Sequence, residues 1–114
     1  MISRTWHGLV PLNKKDAFYE YLNETGVIEA VSIPGNLGAY VHVEEQEQYA
    51  HFFLCTVWSS WEDIVKFAGN RPAVAVTYTE DSKYGLISDP IVIHQEVTTD
   101  KNPFTCSNNK NSQT

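Results

Sequence analysis

Apolar and polar positions change period several times along the chain, and each change marks an element. Tyr49 to Trp58 (YAHFFLCTVW) is rich in aromatic and β-branched residues and lacks Pro and Gly, which predicts a strand. Successive side chains point to opposite faces, so Tyr49, His51, Phe53, Cys55 and Val57 share one face, and Ala50, Phe52, Leu54, Thr56 and Trp58 the other. Both sets are largely apolar, so both faces are expected to be covered. The period then shifts from two to 3.6. In Ser59-Ser60-Trp61-Glu62-Asp63 a serine precedes an acid by three residues, a capping box that Ser59 with Glu62 or Ser60 with Asp63 satisfies. Trp61, Ile64, Val65 and Ala68 follow as one stripe, and Gly69, with Pro72 beyond it, stops the helix.

The rest of the chain is arranged around this strand and helix. Ile2 to Val10 (ISRTWHGLV) predicts a first strand, closed by Pro11, with Ile2, Arg4, Trp6 and Gly8 on one face and Ser3, Thr5, His7 and Leu9 on the other. Gly8 marks a bulge or a close approach of backbone. Asn13 is the expected cap of a first helix whose stripe is Ala17, Phe18, Tyr21, Leu22 and Thr25, with Gly26 ending it. Val27 to Ile33 reads as a further short helical turn, and Ile33-Pro34-Gly35-Asn36 as a turn. Leu37 to Glu45 predicts a second strand that meets the third through a solvated tip, Glu44 to Gln48. From Asn70 to Gly85 the pattern fits a strand end, a short helix or a loop. Asp89-Pro90 opens a fourth strand, Ile91 to Val97, with Ile91, Ile93, Gln95 and Val97 on one face and Val92, His94 and Glu96 on the other. Residues 98–114 read as a polar tail, and 1–97 as one domain.

The order is β-α-β-β-α-β, the ferredoxin-like α+β arrangement with an antiparallel sheet. Two helices cover one sheet face, yet the strands are apolar on both. A chain of 114 residues has no third layer to offer. A second copy is the economical cover, giving a homodimer in which two sheets face each other and enclose a ligand cavity between them.

Charge and composition narrow the function. Fourteen acidic against eight basic residues leave a net charge of -6, which argues against nucleic acid or an anionic membrane as partner. No apolar run approaches the ~20 residues of a membrane span, and the N-terminus lacks the regions of a signal peptide. A cytoplasmic protein is expected. Two cysteines, Cys55 in a strand and Cys106 in the tail, make neither a disulfide framework nor a zinc site. Phosphate-binding, flavin and nicotinamide signatures are missing, so no cofactor is expected.

The junction FFLCTVWSSWEDIVKFAG, with Thr56, Trp58, Ser60, Glu62, Ile64 and Phe67 at its key positions, resembles the antibiotic biosynthesis monooxygenase superfamily. The Thr-Gly-Val after the first helix and the Ile-Pro-Gly-Asn-Leu-Gly-Ala-Tyr-Val turn add to the likeness, which spans roughly residues 1–97. It implies a dimeric α+β barrel. Some members of that family oxidise aromatic phenols with molecular oxygen and no metal or flavin; others bind and degrade haem. The haem degraders carry an Asn on the first strand and a His beyond the second helix. Here the first strand has no Asn and residues 70–84 contain no His, so degradation of that kind is not expected. Haem binding through another ligand set stays open, because four histidines are present.

Two functions therefore stand side by side: a cofactor-independent monooxygenase-like enzyme acting on a small aromatic molecule, and a non-catalytic dimer that binds a small hydrophobic ligand or serves a stress-related role of unassigned activity. For the first, His7 and His94, on neighbouring strands, are candidate general bases that would form the phenolate. Tyr78, beyond the second helix, is the candidate for orienting a substrate hydroxyl. Trp58, at the expected barrel mouth, reads either as a ring-stacking wall or as core. Trp6 joins it as a substrate-binding candidate on the face of Arg4. Arg4 on a central strand needs a partner, either Glu96 on the adjacent strand or a ligand carboxylate. His42 and His51 read as surface or dimer contacts, and no metal site is expected.

Overall fold

The computed structural model describes residues 1–99 and 101; Cys106 and nearly all of the polar tail lie outside the described residues. Strand β1 (Ile2–Pro11) is buried at alternate positions, Arg4, Trp6, Gly8 and Val10, as its period of two requires. A helical layer follows: α1 (Lys15–Leu22), a π-type turn (Asn23–Val27) and α2 (Ile28–Val31). Strands β2 (Asn36–Gln46) and β3 (Tyr49–Trp58) form a hairpin, and α3 (Trp61–Ala68) leaves the end of β3. The short strands β4 (Ile87–Ser88) and β5 (Ile93–Glu96) both pair antiparallel with β1.

The sheet order is β2-β3-β1-β4, with β5 also on β1, and every neighbouring pair is antiparallel. That is the ferredoxin-like α+β topology expected from the element order. The helices pack on the face that carries Trp6, Val10, Phe52 and Leu54, where Phe18 and Leu22 of α1 complete the larger core. Ala30 of α2 and Ile64 of α3 close a second cluster around Trp58. Phe18 meets Phe52 edge-on at a centroid distance of 5.0 Å, while Tyr21 stacks on Tyr84 at 4.7 Å.

Three local expectations are corrected. Gly26 does not end the first helix: it is buried inside the helical run, and a Cβ there would lie 3.2 Å from Leu54 Cδ2. Its role is to let helix and sheet approach, so the run continues to Val31. Asn13 does not cap the helix; it lies in a 3-10 turn, and no side chain caps the start of α1. The fourth strand is split. Ser88 pairs with Gly8 and Ile93 with Thr5, so four residues span the space of two on β1. The excess bulges away and pairs with the segment after α3, through Val92 N–H to Ala73 O and Ala75 N–H to Pro90 O, both 2.9 Å. Pro90, with no N–H, suits the point where the ladder is left.

The start of α3 is as its serines predict. Ser60 caps it, accepting from Asp63 N–H at 3.3 Å, while the Ser59 and Ser60 hydroxyls donate to the Asp63 carboxylate at 2.9 Å. These bonds hold the Asp63 carboxyl below its usual range, the Ser60 contact contributing most. Replacing Ser60 by Ala removes the cap and is expected to cost about 1 kcal/mol. Thermal denaturation should show a fall in Tm of roughly 4–8 °C; an unchanged Tm would mean that Ser59 alone holds the helix start.

Candidate functional site

One cavity lies between the sheet and the helices of the chain. Its floor is β1 and β3, through Arg4, Trp6 and Leu54. Phe18, Tyr21, Leu22, Thr25 and Gly26 supply the wall from the first helical run, and Phe67 comes from α3. Val76, Tyr78, Asp81, Leu86 and Ser88 close it from the segment between α3 and β4. The space free for a water-sized group is about 40 Å³, below the ~300–1,000 Å³ of ordinary ligand pockets, so a ring-sized ligand requires the wall segments to part.

Trp6 is held in this wall by two devices. Its indole N–H donates to Ser88 Oγ at 2.7 Å. Gly8, two residues on, leaves room for the ring: a Cβ at that position would lie 2.5 Å from the indole Cζ2. The sequence marks Gly8 as a close approach, and the group that approaches is a side chain.

Arg4 is the most unusual wall residue, with only 3% of its surface exposed. Its Nη2 donates to the carbonyls of Pro72 and Val74 at 3.4 and 3.2 Å, so the bulged segment supplies partial compensation. Nε–H is buried without a partner. The guanidinium sits over the Phe67 ring, 5.4 Å from its centroid. Glu96, the expected partner, pairs with Ile2 in the ladder and makes no ion pair with Arg4. Burial pulls the Arg4 pKa down to about 10, against a smaller rise from Tyr78, so the side chain stays charged at neutral pH.

Tyr78 donates its hydroxyl to Glu29 Oε1 at 3.1 Å. Burial, and next the Glu29 charge, push its pKa up, so it keeps its proton and serves as a donor, not as a base. Asp81 accepts from the Tyr78 backbone N–H at 2.9 Å, and Tyr21 beside it is pushed up to about 12 by burial and then by that carboxylate. Asp81 therefore belongs to the cavity wall.

The remaining candidates separate. Trp58 is wholly buried, donates to Thr56 Oγ1 at 2.8 Å and stacks on Phe67 at 5.6 Å; it is core and does not line the cavity. His94 faces the Arg4 side of β1 but lies in a shallow surface depression with Ile2 and Trp61, edge-to-face with Trp61 at 4.8 Å. Its Nε2 is buried without a partner. His7 points away from the cavity altogether, on the opposite sheet face. There its Nδ1 meets Asp89 Oδ2 and its Nε2 meets His51 Nδ1, each at 2.9 Å. A carboxylate only accepts, so His7 Nδ1 carries a proton. Phe53 stacks on the His7 ring at 4.6 Å. Neighbouring strands do not imply a shared face: the alternation of β1 itself sends Arg4 and His7 to opposite sides. No histidine lines the cavity, so a haem held there would find no imidazole among the described residues. The sequence reading missed Phe67 and Asp81 as wall residues and the Asp89–His7–His51 chain.

His94 gives a pH signature. Burial, then the Arg4 charge, hold its pKa below the usual value. The unfolded chain thus binds this proton more readily, so the contribution to stability is complete above pH ~6.5 and is lost as pH falls through the lower folded value. Chemical denaturation between pH 7 and 5 should show a shallower loss of stability in His94→Gln than in the parent; parallel curves would contradict the assigned environment.

No family model matches the chain, and no curated protein does. Solved structures do. A candidate antibiotic biosynthesis monooxygenase from Bacillus cereus is 16% identical, with 89% of this chain and 94% of that one covered at a TM-score of 0.62. A dimeric ferredoxin-like protein from an uncultured marine organism is 14% identical, with 90% and 99% covered, also at 0.62. At such identities the likeness speaks of backbone and not of chemistry. The chain has the ferredoxin-like α+β fold of these two proteins, the fold that its resemblance to the monooxygenase superfamily implies.

Proposed function

We propose that this protein binds a small aromatic molecule in the cavity between sheet and helices, and oxidises it in the manner of a cofactor-independent monooxygenase. The observation that carries the reading is the composition of the wall: Trp6, Phe18, Tyr21, Phe67 and Tyr78 come from four separate segments and meet around one space. Such walls accept ring faces and edges, each good contact adding about 0.5–1.5 kcal/mol beyond area burial. The likeness to a candidate monooxygenase supports the reaction class. In that chemistry the electrons come from the deprotonated phenol itself, and a guanidinium in the wall favours phenolate over phenol. Tyr78 positions the ring hydroxyl. His94 lies outside this wall, so in this reading the phenol proton passes to solvent at the mouth.

Binding without turnover is the second reading, favoured by one fact: no histidine reaches the cavity wall. Titration with 2-naphthol, followed by an oxygen electrode, separates the two. Saturable binding that weakens three- to tenfold in Phe67→Ala, with oxygen consumption, supports the enzyme. Binding without consumption supports the carrier, and absence of binding removes both.

The protein acts as a homodimer in this proposal. The sheet face carrying Thr5, His7, Phe53 and Cys55 has no helix over it among the described residues, and Tyr40 and Ile93 stand on it 54% and 56% exposed. A dimeric protein of the same fold supports a second sheet as the cover. Phe53→Glu, placing a charge among these groups, should turn a dimer into a monomer in light scattering. A parent chain that is already monomeric would defeat the assignment.

A further inference from the structure

Resting on the aromatic-ligand reading above, we infer that the cavity selects an aromatic carboxylate, whose ring lies against the aromatic wall and whose carboxylate pairs with Arg4. The inference starts from a charge without a counter-charge. Arg4 is a full cation at neutral pH with 3% of its surface exposed. No carboxylate of a described residue lies within ion-pairing distance of it. Its hydrogen bonds among the described residues are two long contacts to carbonyls at 3.2 and 3.4 Å, and Nε–H has none there. A buried charge is costly unless it is paired and hydrogen-bonded. Two carbonyl dipoles and one ring face compensate it in part. What is missing is an anion, and Arg4 is one of the residues that line the cavity.

The chemistry of the wall restricts that anion. Guanidinium presents a rigid planar fork that matches a carboxylate in a bidentate manner, which a lysine would not do. Asp81 lies in the same wall, and Glu29 accepts from Tyr78 beside it. A dianion such as a phosphate monoester would meet these carboxylates; a monoanion needs only Arg4. Phe67 lies beneath the guanidinium at 5.4 Å, so a ring attached directly to the carboxylate continues onto an aromatic surface. The Tyr78 and Asp81 side of the wall then suits a hydroxyl or another donor on the same ring.

Calorimetric titration at pH 7 with 2-naphthoate and its neutral isostere 2-naphthamide tests this, with the shift of the Trp6 indole N–H reporting that the ligand is in the cavity. The expected result is at least tenfold tighter binding of the carboxylate in the parent chain. That preference should disappear in Arg4→Met while naphthamide still binds. Because Arg4→Met removes a buried group and can unfold the chain, Arg4→Lys is the second variant; it should keep a reduced preference. Equal affinity of the two ligands for the parent, or a preference that survives Arg4→Met, overturns the inference and leaves the aromatic-ligand reading intact. Failure of naphthoate, naphthamide and naphthol alike defeats that reading and the inference with it.

Discussion

A β-sheet has two faces, and this chain carries helices for one. That constraint orders the rest of the molecule. Alternation along β1 and β3 sends Arg4, Trp6, Phe52, Leu54 and Trp58 beneath the helical layer, and His7, His51, Phe53 and Cys55 to the other side. Where helix packs tightly on sheet, at Gly26 against Leu54 and at Ile64 and Ala30 around Trp58, the layer is solid. Between those two contacts it is not filled. The fourth strand contributes to the opening, because its bulge between Ser88 and Ile93 draws the chain off β1 toward residues 73–75. One departure from a regular ladder thus both leaves room beside Trp6 and brings the carbonyls of Pro72 and Val74 to Arg4.

The two faces hold different chemistry. Beneath the helices, a cation with incomplete compensation sits among aromatic rings, and the titratable groups there keep protons or charges appropriate to binding: Tyr78 remains a donor and Arg4 a cation. On the other face, Asp89, His7 and His51 form a hydrogen-bonded chain capped by Phe53, an arrangement that a covering sheet would remove from water. An inter-sheet cavity had been the natural expectation from an apolar strand with two apolar faces. Within the chain, one cavity lies beneath the helices, and the other sheet face carries no helix among the described residues.

The fold was legible because β3 and α3 obey every local rule at once: the period of two, the switch to 3.6, the Ser60 cap and the Gly69 stop all agree. The facing of each strand was legible for the same reason. What escaped were features set by contact between distant segments. Gly26 carries the signature of a helix end, yet it was kept small by Leu54, which sequence spacing does not reveal. Asp81 looks solvated in a polar run, and its role appears only when that run folds back to Tyr21 and Tyr78. Trp58 stayed open between wall and core because a large aromatic at a strand end has the same pattern whether it lines a cavity or fills a core. Arg4 and Trp6 were identifiable from their position on a central strand. That Arg4 lacks a carboxylate could be known only once Glu96 was placed opposite Ile2.

The central claim is that ligand enters beneath the helices and not onto the open sheet face. Methyl NMR of the protein titrated with 2-naphthol tests it most directly, since leucine and valine methyls sample both sides. The account predicts ring-current shifts at Leu22, Leu54, Val76 and Leu86, with Leu9 and Val57 unmoved. Shifts confined to Leu9 and Val57 would place the ligand on the other face and contradict it.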